Sequence, residues 1–321
     1  MHISILEPFK QHNIVYKIRK TLMSKPILVT GSAGFIGYHL SKLLLEEGFR
    51  VHGFDGMTDY YDVTLKQRRH QMLLQNEGFS ATEGMLEDLE LFDQMADDFE
   101  PDIIVHLAAQ AGVRYSIDAP RSYVESNING TFELLEAARN HPLQHLLIAS
   151  TSSVYGANTE MPYREVHKVD TQMSFYAATK KATEAMAQTY AHLYNIPTTM
   201  FRFFTVYGPW GRPDMAYFSF TKRILAGETI DVYNHGDMHR DFTYVEDLVR
   251  SIRLLIDTPP VRPATPEEIE EGDSLSPVAP YRIVNIGNSE KVRLLDFIEA
   301  IEDSLGKKAV RNYMEIQPGD V

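Results

Sequence analysis

Short apolar runs alternate with helical patterns along the N-terminal two thirds of the chain, and this alternation limits the possible folds more than any other feature. The runs that read as buried strands are 27–30, 50–55, 102–108, 146–149 and 198–203. Helical spacing of apolar residues covers the segments 89–99, 127–139 and 177–194. Strands that alternate with helices form a parallel sheet with helices on both faces. The sequence therefore predicts an α/β fold with a doubly wound parallel sheet.

A glycine-rich turn follows the first predicted strand. Gly31, Gly34 and Gly37 stand between the run Ile27–Thr30 and a helical stripe of leucines. Residues without a Cβ allow backbone amides to approach a pyrophosphate at a helix N-terminus. As a bare string this glycine spacing is weak and fits a structural turn, but the strand–turn–helix context predicts a dinucleotide site.

An acidic residue, Asp55, ends the second predicted strand. Its carboxylate is placed to accept hydrogen bonds from the hydroxyls of an adenosine ribose, and its charge would repel a 2′-phosphate. The sequence therefore favours NAD over NADP as the cofactor. A surface aspartate in an ordinary turn is the alternative interpretation.

The regular alternation of strands and helices ends after residue 206. From there on, prolines and glycines interrupt the apolar pattern, and the sequence indicates a mixture of helices and short strands. We expect residues 24–206 to form a Rossmann-like NAD-binding domain and residues 207–321 to form a smaller mixed α/β substrate lobe. The late apolar run 281–287 is expected to return to the main sheet. Residues 1–23 form an N-terminal extension to which we assign no function.

Tyr176 and Lys180 stand four residues apart in a predicted helix, so their side chains share one face. A lysine one turn from a tyrosine lowers the pKa of the phenol, whose reference value is about 10. A tyrosine with a lowered pKa is a usable general base near neutral pH. The pair alone is a weak signal, because such a spacing is common on solvated helix faces.

Small hydroxyl residues follow the predicted strand 146–149. Thr151, Ser152 and Ser153 would therefore lie at the carboxyl edge of the sheet, where open α/β sheets bind ligands. Hydroxyls at this edge can hydrogen-bond a substrate hydroxyl and help a tyrosine to accept its proton. Turn or capping chemistry is the alternative for these residue types, but the downstream tyrosine and lysine favour catalysis.

Composition limits the partners of the 321-residue chain. Its net charge is −13 with no basic stripe, so we expect no nucleic-acid partner. It has no cysteine, which excludes disulfides, thiol catalysis and cysteine-ligated metals. His235 and His239 lack the neighbouring glutamate of a zinc protease, and no apolar run is long enough to span a bilayer. We expect a cytoplasmic protein with no metal site and no membrane partner.

Taken together, these motifs resemble the extended short-chain dehydrogenase/reductase superfamily. Its T-G-x-x-G-F-x-G turn, its serine/threonine patch before V-Y-G and its Y-x-x-x-K pair stand here at 30–37, 151–156 and 176–180. Within that superfamily the chain is similar to the UDP-glucuronate 4-epimerases of the NAD-dependent epimerase/dehydratase family. The strings that carry this narrower resemblance are His106–Arg114, Arg202–Met215 and Arg240–Tyr244.

The resemblance implies a role for individual residues, with Tyr176 as the base, Lys180 as its activator, and Thr151 and Ser153 at the sugar. The implied cofactor residues are Gly31, Ser32, Gly34, Phe35, Ile36, Gly37, Asp55, Leu86, Leu107, Ala108, Ala109, Tyr176 and Lys180. The implied substrate residues are Arg114, Thr151, Ser152, Ser153, Thr205, Arg212, Arg240, Gln317 and Asp320. Within this second set, Thr205 and Arg212 match positions that control the substrate carboxylate, and Arg240 matches the partner of the UDP diphosphate.

Two features depart from the family pattern. Met85 stands where relatives usually carry an aspartate that touches adenine, so adenine must rely on backbone groups such as those of Leu86. The chain stops at Val321, where relatives continue for another helix, so we expect a substrate lobe that is truncated at its C-terminus.

The resemblance implies the NAD-dependent conversion of a UDP-hexuronate, UDP-glucuronate to UDP-galacturonate, by transient oxidation at C4. Ser153 stands where sugar decarboxylases carry glutamate, and the Asp-Glu pair of the dehydratases is missing after Thr151, so both sister activities are disfavoured. A UDP-glucose/UDP-galactose 4-epimerase and a catalytically silent NAD-binding scaffold stay open as alternatives. The predicted helices 127–139 and 177–194 resemble those that form dimer interfaces in relatives, so a homodimer is expected.

Overall fold

The structure is a computed structural model that describes residues 25–316. Its strands are β1 Pro26–Thr30, β2 Arg50–Asp55, β3 Phe79–Glu83, β4 Ile103–His106, β5 His145–Thr151, β6 Thr198–Phe203, β7 Thr205–Tyr207, β8 Thr229–Val232, β9 His239–Arg240, β10 Phe242–Tyr244, β11 Tyr281–Ile286, β12 Val292–Arg293 and β13 Val310–Tyr313. Its α-helices are α1 Phe35–Glu46, α2 Val63–Leu73, α3 Leu89–Phe99, α4 Tyr115–Asp118, α5 Pro120–Tyr123, α6 Gly130–Asn140, α7 Phe175–Tyr194, α8 Ala216–Ala226, α9 Val245–Ile256 and α10 Leu294–Leu305. Short helical turns of other types are Val124–Asn129, Ser152–Tyr155, Tyr233–Gly236 and Pro266–Glu268.

Seven of these strands form one parallel sheet in the order β11-β6-β5-β4-β1-β2-β3. The predicted doubly wound parallel sheet is therefore confirmed. The strand order reverses between β1 and β4, and open α/β sheets bind ligands at such a switch point. The late strand β11 lies beside β6, with Tyr281 opposite Thr198 and Ile286 opposite Phe203.

Helices cover both faces of the sheet, because alternate residues of each strand point to opposite sides. In β1, Ile27 and Val29 pack with α1, α2 and α9, whereas Leu28 packs with α3, α6 and α7. All three side chains are fully buried. Helix α9 belongs to residues 207–321 yet packs on the main sheet, and the proposed division into two domains stays a prediction.

A smaller core lies in the C-terminal part of the described chain. Ile224, Ile230, Val232 and Ile298 are buried together between α8, β8 and α10. Three two-stranded sheets accompany this core, namely β8 with β13, β9 with β12 and β7 with β10. This part of the chain is thus a mixture of helices and short strands, as the change of sequence pattern after residue 206 indicates.

Among the elements that the sequence pattern did not predict are helix α2 and edge strand β3. Both lie between the second predicted strand and the helix 89–99. The predicted helix 127–139 is also different at its start, since the segment Val124–Asn129 forms a wider π-helical turn before α6 begins at Gly130.

Candidate active site

A cleft opens at the carboxyl edge of the parallel sheet. It is lined by the turn after β1, the end of β2, the segment after β4, the end of β5 and the first two turns of α7. The predicted cofactor residues that line it are Gly31, Gly34, Phe35, Ile36, Gly37, Asp55, Leu86, Leu107, Ala108, Ala109, Tyr176 and Lys180. Thr151 and Arg212 from the predicted substrate set also line it. The sheet topology therefore gathers the glycine turn and the tyrosine–lysine pair in one cleft.

Ser32 is the exception among the predicted cofactor residues. Its side chain is fully buried beneath the turn and is absent from the cleft lining. A Cβ on Gly53 would lie 2.4 Å from Ser32 Oγ, so the hydroxyl is packed tightly against β2. Within residues 25–316 this oxygen has no hydrogen-bond partner. A side-chain contact between Ser32 and a cofactor is therefore not supported.

The glycine turn is as tight as the sequence indicates. Gly31 has a φ of +72°, and a Cβ at this position would lie 2.8 Å from the backbone nitrogen of Ala108. A Cβ on Gly37 would lie 2.0 Å from the carbonyl oxygen of Gly31. No side chain caps the start of α1, whose N-cap residue is Gly34. Uncapped amides at a helix start are suited to bind an anion such as a pyrophosphate.

Asp55 ends β2 beside this turn, and its side chain is 8% exposed. Its Oδ2 accepts a hydrogen bond of 2.9 Å from the backbone amide of Ala33, and its Oδ1 accepts one of 2.9 Å from Met57. These two bonds fix the carboxylate at the wall of the cleft. Each oxygen keeps a further lone pair, so the group can still accept hydrogen bonds from ribose hydroxyls.

Helix α7 begins so that its first turn faces the cleft. The hydroxyl of Ser174 caps the helix by accepting a hydrogen bond of 3.1 Å from the amide of Ala177. Tyr176 is half-buried in this first turn, and its ring lies 6.1 Å from the ring of Tyr123 in an edge-on contact. Lys180, one turn later on the same face, is only 3% exposed.

Burial dominates the ionisation of this pair. It raises the pKa of the Tyr176 phenol above its ordinary value, while a hydrogen bond with Thr151 and the cation of Arg212 lower it in part. Burial also lowers the pKa of Lys180 to about 8, and the carboxylate of Glu184 opposes this shift. The sequence-based expectation of a lowered phenol pKa is therefore wrong for the protein alone. The cation that acts on the phenol here is Arg212 and not Lys180.

Thr151 has two functions at the end of β5. Its Oγ1 accepts a hydrogen bond of 3.2 Å from the amide of Ser153, which caps the turn Ser152–Tyr155. The same hydroxyl donates a hydrogen bond of 3.2 Å to Ser153 Oγ, and its interaction with Tyr176 lowers the pKa of the phenol. The capping interpretation and the catalytic interpretation of this residue are thus compatible.

Arg212 brings a positive charge to the cleft. Its guanidinium forms a two-pronged ion pair with Asp214, with Nε at 3.0 Å from Oδ1. It also lies over the ring of Tyr60, at 5.6 Å from the ring centre. The hydroxyl of Tyr60 donates a hydrogen bond of 3.2 Å to Asp214. This arrangement holds a guanidinium near Tyr176 while much of its charge is shared with a carboxylate.

A buried ion pair between Arg202 and Glu184 fixes the position of helix α7. Arg202 in β6 donates two hydrogen bonds of 2.9 Å to Glu184, which lies one turn after Lys180 on α7. The hydroxyl of Ser150, next to Thr151, donates a third bond of 2.6 Å to the same carboxylate. Because Arg202 and Glu184 are almost fully buried, their contact fixes α7 against the ends of β5 and β6.

Other predicted substrate residues lie outside the cleft lining. Arg114 places its guanidinium 4.8 Å from the ring centre of Tyr233, in the C-terminal part of the described chain. Arg240 donates a hydrogen bond of 2.8 Å to the carbonyl of His239. Ser152, Ser153 and Thr205 also fall outside the lining. Gln317 and Asp320 lie outside the described residues.

Sequence reasoning missed several residues that line the cleft, among them Tyr60 and Lys66. Lys66 is 7% exposed, and its Nζ donates hydrogen bonds of 2.8 and 2.9 Å to the carbonyl and hydroxyl of Thr58. The pair Tyr60–Tyr61, which follows the predicted strand end, was the available signal for an aromatic wall. Nothing in the sequence distinguishes Lys66 from the charged residues around it.

Residues 25–316 contain no group of three histidine, cysteine or acidic side chains that could hold a metal ion. In the same part of the chain, none of the helices combines the length and the apolar character needed to cross a membrane.

Comparison with known proteins identifies the family. The sequence matches the NAD dependent epimerase/dehydratase family over residues 27–271. The chain belongs to this family. Among its epimerase/dehydratase relatives, a probable UDP-glucuronate 4-epimerase of Rhizobium meliloti (strain 1021) is 52% identical over 294 residues, which cover 92% of this chain and 86% of the relative. UDP-glucuronate 4-epimerase 2 of Arabidopsis thaliana is 44% identical and is covered over 68% of its length.

A solved structure of another epimerase matches the fold of this family member. The UDP-glucuronic acid 4-epimerase of Bacillus cereus, in complex with UDP-glucuronic acid and NAD, aligns with a TM-score of 0.80 and 33% sequence identity. The alignment covers 92% of this chain and 88% of that one. The family that the motifs indicate is thus confirmed, together with its fold.

Proposed function

We propose that the protein is an NAD-dependent UDP-glucuronate 4-epimerase that interconverts UDP-glucuronate and UDP-galacturonate. The observation that carries this proposal is that Tyr176, Thr151 and the Gly31–Gly37 turn all line one cleft. The choice of substrate is supported by the relative of Rhizobium meliloti and by the Bacillus cereus structure.

The cleft fits NAD in its hydrogen-bonding groups. The uncapped start of α1 and the glycine turn would hold the pyrophosphate, and Asp55 would accept hydrogen bonds from the adenosine ribose. Lys180, whose Nζ makes no hydrogen bond among residues 25–316, would donate to the other ribose. Bound NAD supplies a centre that accepts hydride from C4 of the sugar and returns it.

Tyr176 is the general base for the 4-hydroxyl in this proposal. Thr151 hydrogen-bonds the phenol and Arg212 stabilises the phenolate, and both oppose the effect of burial on the pKa. Because the pKa of Lys180 is about 8, this side chain is still mostly a cation at neutral pH, which suits it to donate hydrogen bonds to the ribose. When the ketone takes the hydride back on its other face, Tyr176 returns the proton and the C4 configuration is inverted.

The 4-keto sugar that forms between these steps is a β-keto acid, which loses CO₂ readily when its C5–C6 bond aligns with the carbonyl π system. We propose that hydroxyls of Thr151, Ser152, Ser153 and Thr205 hold the carboxylate so that this bond stays near the ketone plane. Arg212 would shape the pocket, and its pairing with Asp214 limits the charge that it brings. Thr205→Ala should therefore release CO₂ and UDP-pentose during turnover, and a product ratio equal to wild type would contradict this role.

The proposed reaction is tested by incubating the purified protein with UDP-glucuronate or with UDP-glucose and analysing the nucleotide sugars. We expect UDP-galacturonate from the first substrate, little product from the second and no net accumulation of NADH. Preferential turnover of UDP-glucose would identify a neutral-sugar epimerase, and inactivity on both would favour a scaffold.

A homodimer is also part of the proposal. Phe132 on α6 and Phe175 at the start of α7 are 43% and 41% exposed, and exposed aromatic side chains on these two helices support pairing with a second copy. The mass of the protein in solution, measured by light scattering, tests this prediction. The cytoplasmic location likewise stays a prediction.

A further inference from the structure

Three consecutive carbonyl groups in the turn Pro209–Gly211 are held by two side chains from the cofactor side of the molecule. His39 in α1 donates from Nε2 to the carbonyl of Pro209 at 2.8 Å, because a carbonyl can only accept. Arg69 in α2 donates from Nη2 to Trp210 at 2.6 Å and makes a longer contact of 3.4 Å with Gly211. The turn that precedes Arg212 is thus anchored to both helices.

The other nitrogen of the Arg69 fork reaches the glycine turn. Its Nη1 donates to the carbonyl of Ala33 at 3.1 Å and to the hydroxyl of Tyr61 at 2.9 Å. The backbone amide of Ala33 in turn donates to Asp55. Asp55, Ala33, Arg69 and Trp210 therefore form one chain of hydrogen bonds. It joins the proposed ribose acceptor to the turn that carries Arg212.

Arg69 is an unusual residue for a purely structural link. It is fully buried, and among residues 25–316 it has neutral oxygen acceptors but no carboxylate partner. Its Nε has no hydrogen-bond partner in that part of the chain. A buried cation without an ionised partner is costly to stability, whereas a planar guanidinium can bridge two loops as few other side chains can.

The held turn also contains an uncommon backbone conformation. Trp210 has a φ of +58°, in the left-handed region that a bulky residue rarely adopts. Such conformations persist where the surroundings fix them, and they cluster at functional sites. Two residues further on, Arg212 lines the cleft and its cation acts on Tyr176.

We infer that Arg69 and His39 are positioning residues, which hold the turn Pro209–Gly211 against the glycine turn and thereby place Arg212 at the reacting sugar. Dinucleotide binding at Gly31–Gly37 is coupled through Ala33 and Arg69 to the position of Arg212. The role of Arg212 at the sugar rests on the proposed function, whereas the coupling between the two turns does not.

The coupling can be observed without any assay of turnover, because Trp210 is the only tryptophan of the chain. Its side chain is 38% exposed, so its fluorescence and its quenching by acrylamide report on this turn directly. We expect NAD added to NAD-depleted protein to shift the emission and to reduce quenching. Arg69→Lys should show higher quenching and lose the response to NAD. Arg68→Lys, an exposed neighbour on α2, should behave as wild type.

A double-mutant cycle tests the link to Arg212 in the reaction. Displacement of a catalytic group by a fraction of its length can cost up to about 100-fold in rate, so Arg69→Lys should lower kcat/KM for UDP-glucuronate by about 10- to 100-fold. In an Arg212→Ala background the same substitution should cost less than about two-fold, because the group that it positions is already missing. A residue that only supports the fold would cause the same fold-loss in both backgrounds.

Equal losses in the two backgrounds, or an NAD response of Trp210 that is absent from wild type or unchanged in Arg69→Lys, would overturn the inference. If Arg69→Lys does not fold by circular dichroism, His39→Phe tests the same turn, since it removes the donor to Pro209 and keeps a ring. It should raise the quenching of Trp210 and weaken its response to NAD, and wild-type behaviour would again overturn the inference. Failure of the wild-type protein to convert UDP-glucuronate would refute the proposed function, and the fluorescence result would then decide the inference alone.

Discussion

The two sides of the cleft are built in different ways. The cofactor side consists of backbone at the ends of neighbouring strands, where Gly31 and Gly37 leave no room for a side chain and Asp55 is held by backbone amides. The sugar side consists of side chains from positions that are far apart in the sequence, such as Thr151 and Arg212. A dinucleotide site can therefore be recognised from a local motif, whereas a sugar site depends on which distant segments the fold brings together.

The largest effect is expected where the two sides meet, at Tyr176. Loss of a general acid–base group typically costs about 10²- to 10⁴-fold in rate, so Tyr176→Phe should lower kcat by this amount while NAD content stays unchanged. Tyr190→Phe is the matched control, because Tyr190 lies on the same helix and its hydroxyl is bonded to Glu136. A fully active Tyr176→Phe enzyme would contradict the assignment of the base.

The next effect belongs to the cofactor side. Gly37→Ala places a Cβ 2.0 Å from the carbonyl of Gly31, and overpacking of this kind costs about 1–3 kcal/mol. We expect a lower Tm and little NAD in the purified variant, as measured by calorimetry and by absorbance after denaturation. Gly78→Ala, whose nearest contact would be a side-chain oxygen at 3.2 Å, should lower the Tm less and leave the NAD content unchanged. A Gly37→Ala protein that retains NAD would show that the turn is not the pyrophosphate site.

A more selective effect is expected on the sugar side. If Arg240 pairs with the UDP diphosphate, Arg240→Ala loses charged hydrogen bonds worth about 1.5–3 kcal/mol and should raise KM about 10- to 100-fold. NAD content should stay at the wild-type level, which separates this variant from Gly37→Ala. An unchanged KM for UDP-glucuronate would remove Arg240 from the substrate site.

A pH dependence of stability is expected from Lys180. Its pKa is about 8 in the folded protein, against an ordinary value of 10.5 for a lysine in water, so between these values the unfolded chain binds a proton that the folded protein does not. Stability should therefore rise with pH across this window, and the cost of burying the cation is complete below pH 8. Urea unfolding of NAD-free protein at both ends of the window should show this rise, and Lys180→Met should reduce it. Lys181→Met is the control, and parallel behaviour of all three proteins would exclude the effect.

Much of the fold was accessible from the sequence, because apolar periodicity determines it. The bounds of β2, β6 and α3 agree with the segments 50–55, 198–203 and 89–99. Helix α2 was missed because its buried residues include Lys66 and Arg69, which act through hydrogen bonds and break the apolar pattern. Strand β3 was missed because it is a short edge strand with mostly polar residues.

The candidate site could be predicted only where its residues lie close together in the sequence. The glycine turn and the tyrosine–lysine pair can each be recognised by the spacing of their residues, and both line the cleft. The direction of the Tyr176 pKa shift was not predictable, since it depends on burial and on Arg212 from a distant segment. The role inferred for Arg69 was hidden for a similar reason, because its acceptors are backbone carbonyls of residues 33 and 210 and carry no side-chain signature.

The pairing of β11 with β6 has a consequence for how the molecule is made. Strand β6 leaves an open hydrogen-bonding edge from the time that residue 203 is synthesised until residues 281–286 emerge from the ribosome. All of helix α9 and most of the small second core must be translated in that interval. The main sheet therefore cannot be completed until β11 is available. The parts of the chain before and after residue 206 reach their final form at nearly the same time.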